Sequence, residues 1–152
     1  MQRFKEKLNS VLVELYMNIT QLEEQTLKNS GRIDLTINEM HMIECVGKSE
    51  DMGRTIRDIA NDLGIKSPSA TVAVNKLVRK GYLEKRQSET DGRVVRVRLT
   101  HDGKSVYAYN SYYHRLMVRE LSDDLEDSER NTLLKAIEKL NMYLKKSIGE
   151  QV

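Results

Sequence analysis

The stretch from Ser67 to Gly81, SPSATVAVNKLVRKG, constrains the fold most because it carries the start and stop signals of one short helix. Ser67 is a preferred N-cap residue, and Pro68, the chain's single proline, suits the first helical position, where its missing N–H costs nothing. Gly81 suits the left-handed position that ends a helix. The pattern therefore predicts a helix over residues 67–81.

The two faces of this predicted helix differ in chemistry. Val74, Leu77 and Val78 recur at helical spacing and predict a buried face. The opposite face consists of small or polar groups that allow close approach, as a helix lying in a DNA groove requires. Its members are Ser69, Thr71, Val72, Asn75 and Lys76.

The neighbouring segments predict a helix-turn-helix followed by a hairpin. Upstream, residues 55–58 (TIRD) form a capping-box pattern, and Gly64 ends the short helix that follows. Downstream, residues 82–87 and 94–100 are β-prone runs on either side of the turn signal Asp91-Gly92. This order of elements is that of a winged helix.

Long amphipathic helices are predicted at both ends of the chain. In the first, from about Phe4 to Leu27, apolar residues advance by three and four positions and leave a narrow stripe. The last helix has a similar stripe, and neither has an evident partner within the chain, so pairing with a second copy would bury both. The stripes are Phe4, Leu8, Val11, Leu15, Ile19 and Leu22, and Leu133, Leu134, Ile137, Leu140, Leu144 and Ile148.

Two more helices are marked by their caps. Thr36 and Glu39 form a full capping box for a helix that ends near Gly47, and Thr100 caps a long helix that runs to about Leu121. The predicted fold is mainly α with a small β wing. Residues 36–100 form the winged helix-turn-helix, and residues 1–35 and 101–152 form a helical dimerisation region.

Basic charge is concentrated in the winged-helix segment. Residues 54–104 contain 12 Lys and Arg against 6 Asp and Glu, whereas the rest of the chain has 13 basic and 17 acidic residues. A charge run alone can be a solvated face, but beside a groove-sized helix and a wing it favours nucleic-acid binding.

Other features narrow the class of protein. Charged residues make up 32% of the chain, and no apolar run has the length of a membrane span. The charged N-terminus lacks a signal-peptide core and the single cysteine cannot form an internal disulfide, so we expect a cytoplasmic protein without a membrane partner. No nucleophile motif, phosphate loop or paired-carboxylate pattern is present, so neither an enzyme nor a cofactor is predicted.

Four motifs in order resemble the MarR family of bacterial transcription regulators. They are the run 67–83, Arg86, the Asp-x-Arg of the wing at 91–93, and the Leu-Thr-x-x-Gly within 97–104. Within the family, residues 39–48 and 113–118 are most similar to the fatty-acid biosynthesis repressors of Gram-positive bacteria. The resemblance covers nearly the whole chain.

The resemblance implies a homodimer that binds double-stranded DNA at an inverted repeat and acts as a repressor, with helix 67–81 in the major groove and the wing at 88–93 in the minor groove. Arg93 would enter the minor groove, oriented by an ion pair with Asp91. Arg86, Arg96 and Arg98 would hold phosphates, although either strand arginine could instead face water. Val72 departs from the polar or basic residue common in the family, so the family's base preference does not transfer. The predicted DNA-binding residues are Ser67, Ser69, Thr71, Val72, Asn75, Lys76, Arg86, Asp91 and Arg93.

The resemblance also implies an effector site between the dimer helices and the winged helix, and the subgroup implies acyl carrier protein bearing a long acyl group as corepressor. Met and Tyr side chains suit a flexible apolar guest, although such stripes are also ordinary core. The predicted lining residues are Tyr16, Met40, His41, Cys45, Tyr109, Tyr113 and Met117.

Three alternatives remain open. His41 and Cys45 lie one helical turn apart and could bind a metal with His114 as a third ligand, as in zinc-sensing family members. Cys45 could instead be a redox switch, which would need exposure and a positive neighbourhood. A winged helix used only for protein interaction would bind DNA weakly and without salt dependence.

Overall fold

The computed structural model describes residues 1–31, 34–49, 52–88 and 91–149. The chain forms two compact units, Met1–Ser111 and Tyr112–Val152, and the division falls within one helix. The elements are α1 Gln2–Asn29, α2 Ile37–Gly47, α3 Ile56–Leu63, α4 Ser67–Arg79, β1 Leu83–Gln87, β2 Val95–Leu99, α5 His101–Asp123 and α6 Asp127–Gly149. The mainly helical fold with a small β wing is thus confirmed.

Reciprocal caps start α2 and α3, as the sequence predicts. The Thr36 hydroxyl accepts from the Glu39 N–H at 3.2 Å, and the Glu39 carboxylate accepts from the Thr36 N–H at 2.9 Å. Thr55 and Asp58 repeat this arrangement at 3.1 and 3.3 Å. Each box satisfies two backbone donors that the first helical turn would otherwise leave unpaired.

The start of α4 differs from the prediction by one residue. Lys66, with φ −73° and ψ 146°, is the N-cap residue, and its carbonyl already accepts from the Ala70 N–H at 3.0 Å. Ser67 therefore lies in the first turn, and the prediction that its side chain caps the helix was wrong. Because proline lacks an N–H, Pro68 is tolerated at the second helical position as well as the first.

The end of α4 follows the prediction. Gly81 has φ +83°, a conformation that costs glycine little. The Gly81 N–H donates to the Val78 carbonyl, and the Tyr82 N–H donates to the Leu77 carbonyl, each at 3.0 Å. This paired closure reverses the chain and directs it into β1.

The wing is an antiparallel pair in which Leu83 faces Leu99 and Gln87 faces Val95. Val97 is fully buried and Val95 is 42% exposed, so the alternating pattern of β2 holds near the core and is lost toward the wing tip. Arg54 adds a single bridge to Val97, with backbone bonds of 2.9 and 2.7 Å. This bridge ties the wing to the segment before α3.

The start of α5 explains the glycine of the Leu-Thr-x-x-Gly motif. Thr100 caps the helix by accepting from the Gly103 N–H at 3.1 Å. A Cβ at Gly103 would collide with the carbonyl oxygen of Tyr82. Only glycine therefore lets α5 begin this close to the turn between α4 and β1.

The core lies in the first unit and is centred on α2. The buried side of α2 includes Met40, Ile43, Cys45 and Val46, each at most 3% exposed. Side chains from α3, α4, both strands and the start of α5 pack around it. The other members are Leu27, Leu35, Met42, Ile59, Val74, Leu77, Tyr82, Leu83, Val97, Leu99 and Val106.

The terminal helices contribute little to this core. Within α1 only Thr26 and Leu27 are buried, and α6 has no buried residue. Both predicted stripes thus lie largely exposed in the single chain; Phe4, for example, is 65% exposed and Ile148 is 60% exposed. None of the described helices is both long enough and apolar enough to cross a membrane.

Candidate DNA-binding surface

The outward face of α4 is fixed by the residues that the helix buries. Ala70, Val74 and Leu77 are fully buried. Residues on the other side of the helix are consequently turned outward, and Val72 is 68% exposed. The predicted contact residues Ser67, Ser69 and Lys76 are also exposed, while Thr71 and Asn75 are half-buried.

Lys76 is held by a carboxylate from another helix. Its ammonium nitrogen lies 3.0 Å from Oε1 of Glu39 on α2, while the side chain stays 52% exposed. Lys80, one turn along α4, lies 2.9 Å from Oε2 of the same carboxylate. Burial raises the pKa of Glu39, but hydrogen bonds from Lys80 and Thr36 and the ion pair with Lys76 outweigh it and lower that pKa to about 2.

Asn75 is held from the wing. The Lys85 ammonium donates to its Oδ1 at 2.7 Å. Thr71, another predicted contact residue, donates its hydroxyl hydrogen to the Ser67 carbonyl at 2.9 Å. Thr71, Asn75 and Lys76 therefore have defined orientations in the free chain.

The arginines of the wing serve different partners. Arg86 donates to both oxygens of Glu84, at 2.7 and 3.1 Å. Arg96 donates to the Gly53 carbonyl at 3.2 Å, so it links the wing to the segment before α3. Among these strand arginines, Arg86 is the one whose side chain is more exposed, at 61%.

The wing tip differs in one contact from the prediction. Asp91 accepts at 3.0 Å from the backbone N–H of Arg93, so the predicted ion pair with the guanidinium is replaced by a turn-stabilising bond. A short acidic side chain readily makes this local bond to the amide two residues on. Arg93 is exposed. Of the predicted wing, residues 89 and 90 lie outside the described residues.

The predicted effector residues occupy several places. Tyr16 and His41 line a groove of about 790 Å³ between α1 and the start of α2, where His41 lies 3.2 Å from Glu23. Met40 and Tyr109 line a smaller cavity of about 180 Å³. Tyr113 and Met117 belong to the second unit.

Cys45 lies apart from both cavities, against Arg54. The Arg54 guanidinium donates to its sulfur at 3.2 Å and to the Asp62 carboxylate at 2.5 Å. Burial is the main cause that raises the pKa of the thiol. Among the residues that the structure describes, no three His, Cys, Asp or Glu side chains are grouped as a metal site would require.

Two contacts of this surface were not predicted. Glu39 was assigned only as a capping residue, and Lys85 was not singled out. Their partners lie 41 and 10 residues away in the sequence for the pairs Lys80–Glu39 and Lys85–Asn75. No local pattern signals such pairs, because they depend on how α2, α4 and β1 pack.

The segment that carries this surface matches a known protein family. The profile of the MarR family matches residues 33–94. The HTH-type transcriptional regulator YhjH of Bacillus subtilis (strain 168) is 27% identical over 95 residues, which is 62% of this chain and 53% of that protein. The chain thus spans about half the length of this curated relative.

Solved structures agree over more of the chain. Streptococcus pneumoniae FabT in complex with DNA is 30% identical, with a TM-score of 0.86, and the match covers 93% of this chain and 97% of that one. The S. aureus MepR–DNA complex, at 20% identity, has a TM-score of 0.70 over 90% and 97% of the two chains and shows the shared fold. The chain therefore belongs to the MarR family and has the fold of its winged helix-turn-helix transcription regulators, not that of an enzyme.

Proposed function

We propose that the protein is a homodimeric, sequence-specific DNA-binding repressor. Helix α4 would lie in the major groove of each half-site and the wing tip would reach the minor groove. The exposed face of α4 beside a basic wing carries this proposal. It is supported by the similarity to FabT, whose structure was solved in complex with DNA.

The dimer is supported by the exposed apolar stripes of α1 and α6. Leu8 and Val11 are each 44% exposed, and Leu144 is 48% exposed. Apolar stripes of this extent usually mark a protein interface. Two α4 helices related by a twofold axis would meet successive major grooves if they lay roughly 34–36 Å apart, so the operator would be an inverted repeat.

Selection of bound sequences from random duplex DNA tests the proposal directly. An inverted repeat with half-sites about one helical turn apart is the expected result, together with a steep loss of affinity as salt increases. Weak binding without salt dependence would instead indicate a protein-interaction module. A monomer that binds no duplex at low salt would contradict the proposal.

We further propose that a long acyl group, free or carried by acyl carrier protein, modulates repression. The groove between α1 and α2 is within the usual size range of ligand pockets. Ile19, Leu27 and Ile37 give it apolar walls. Thr36, Ile37 and Asn38 at the start of α2 also line the groove. The next residue is Glu39, whose carboxylate pairs with α4.

Native mass spectrometry of protein purified from a bacterial host would reveal acyl adducts. Thr20→Trp would fill the groove and should abolish them, whereas Ser10→Trp, nearer the start of α1 and outside the groove, should not. Equal adducts on both variants would place the acyl group elsewhere. A DNA-binding titration with and without an acyl ligand would then show the direction of its effect.

A further inference from the structure

Glu39 is a buried charge placed between two helices. It lies in the first turn of α2, and its side chain is 7% exposed. One oxygen accepts from Lys80 at 2.9 Å and from the Thr36 N–H at 2.9 Å, while the other lies 3.0 Å from Lys76. The carboxylate thus receives two ammonium groups that are one helical turn apart on α4.

The two lysines differ in what else holds them. Lys80 is 23% exposed and also donates to the Asp34 carbonyl, so it is fixed within the protein. Lys76 is 52% exposed, and it forms an ion pair with the Glu39 carboxylate. Only Lys76 can therefore turn toward DNA while keeping its place on α4.

This arrangement bears on how Lys76 can bind DNA. An ammonium has three donors, so Lys76 can keep its contact with Glu39 and still donate to a base edge in a defined direction. Its charge, however, is partly balanced locally, because it shares the Glu39 carboxylate with Lys80. A phosphate gains less from a balanced ammonium than from a free one, because less counterion is released.

We infer that Glu39 is a positioning residue that sets sequence specificity by restraining Lys76. It holds the ammonium for directed contacts in the major groove and suppresses its attraction to phosphates at unrelated sequences. This role rests on the proposed function of DNA binding. It predicts that the carboxylate weakens binding to nonspecific duplex more than binding to the operator.

Glu39→Gln tests this role with little change in shape. Glutamine also accepts from the helix N-terminus in a capping box, so the cap is kept while the negative charge is lost. Fluorescence anisotropy titrations with the selected operator and with a scrambled duplex, from about 50 to 200 mM salt, give affinities and salt slopes. Thermal unfolding verifies that each variant is folded at the temperature used.

For the scrambled duplex, we expect the salt slope of Glu39→Gln to steepen by up to about 0.9, the value of one added phosphate contact. Over that salt range this corresponds to up to about 3.5-fold greater salt sensitivity. Nonspecific binding at low salt should tighten, and the ratio of operator to nonspecific affinity should fall. If Glu39 acts only as a helix cap, the salt slope and the ratio of operator to nonspecific affinity should both stay unchanged.

The matched control is the same substitution in a Lys76→Gln background. If Glu39 acts through Lys76, the added slope should be absent there, although Lys80 still pairs with the carboxylate. An equal change with and without Lys76 would indicate a general charge effect and overturn the inference. If wild type binds DNA and Glu39→Gln has the same salt slope as wild type, only this inference is overturned. If wild type binds no duplex, the proposed function is overturned as well.

Discussion

Lys85 on β1 donates a hydrogen bond of 2.7 Å to the side-chain oxygen of Asn75 on α4. Because an ammonium only donates, the amide oxygen of Asn75 faces the wing and its NH₂ group is turned away. An asparagine that contacts adenine through two bonds must offer both a donor and an acceptor. Held in this way, Asn75 offers donors and should favour acceptors such as guanine O6 or thymine O4.

Lys85→Met should therefore alter base preference. Without the wing donor the Asn75 amide is free to rotate, and adenine should become acceptable at the position that it reads. Sequence selection with wild-type and variant protein measures the change. Lys66→Met removes a nearby exposed charge from the N-cap of α4 and should weaken binding without altering the selected bases. An identical preference in the Lys85 variant would show that Asn75 is oriented by DNA alone.

Arg93→Ala should weaken operator binding about ten- to hundredfold and leave folding unchanged. Arginine at an exposed wing tip is attracted to the negative potential of a narrow minor groove. Anisotropy titrations at two salt concentrations measure both affinity and slope. Arg119→Ala, an exposed arginine of the second unit, is the control and should bind normally. Unchanged affinity for Arg93→Ala would show that the wing does not contact DNA.

Leu15→Asp should shift the protein from dimer to monomer. Leu15 belongs to the stripe of α1 and is 51% exposed in the single chain, so the charge would be buried only in the dimer. Val13→Asp is matched, because Val13 is 53% exposed on the other side of the same helix. Sedimentation equilibrium should report a monomer for the first variant and a dimer for the second. If both variants are dimers, the dimer interface does not include this stripe.

The stability of the fold should depend on the ionisation of Glu39. Burial raises its pKa, but the hydrogen bonds from Lys80 and Thr36 and the ion pair with Lys76 lower it overall from 4.5 to about 2. A lowered folded-state pKa contributes stability that is fully present above pH 4.5 and is lost as pH falls toward 2. The contribution is about 3 kcal/mol.

Urea unfolding of wild type and Glu39→Gln between neutral and acidic pH measures this contribution. Wild type should be the more stable protein at neutral pH, and the difference should shrink once the pH falls below 4.5. A difference that stays constant with pH would show that the carboxylate contributes by its shape and cap alone.

Cys45 should react slowly with thiol reagents in the folded protein. Its side chain is 3% exposed, and burial raises the pKa of the thiol despite the nearby Arg54 guanidinium. A thiol titration should therefore give a rate at least about tenfold lower than that of the urea-unfolded chain. Rapid reaction in the folded state, with loss of DNA binding, would favour the redox alternative.

The sequence alone predicted those features that depend on residues close together along the chain. The capping boxes at Thr36 and Thr55 and the reversal at Gly81 each involve residues within about five positions. The apolar stripes likewise follow from helical periodicity.

Two local predictions were wrong. The cap assigned to Ser67 failed because Pro68 is tolerated at either of two adjacent helical positions. The ion pair assigned to Asp91 and Arg93 failed because Asp91 accepts from the Arg93 backbone N–H instead.

The tertiary structure alone decided which side chains meet across elements. Glu39 meets Lys80 over 41 residues, and Asn110 donates to Glu44 over 66 residues. Such pairs depend on the packing of one element against another, which brings together residues without any shared sequence pattern. The sequence therefore determined the elements and the outward face of α4, while packing determined how the polar residues on that face are held.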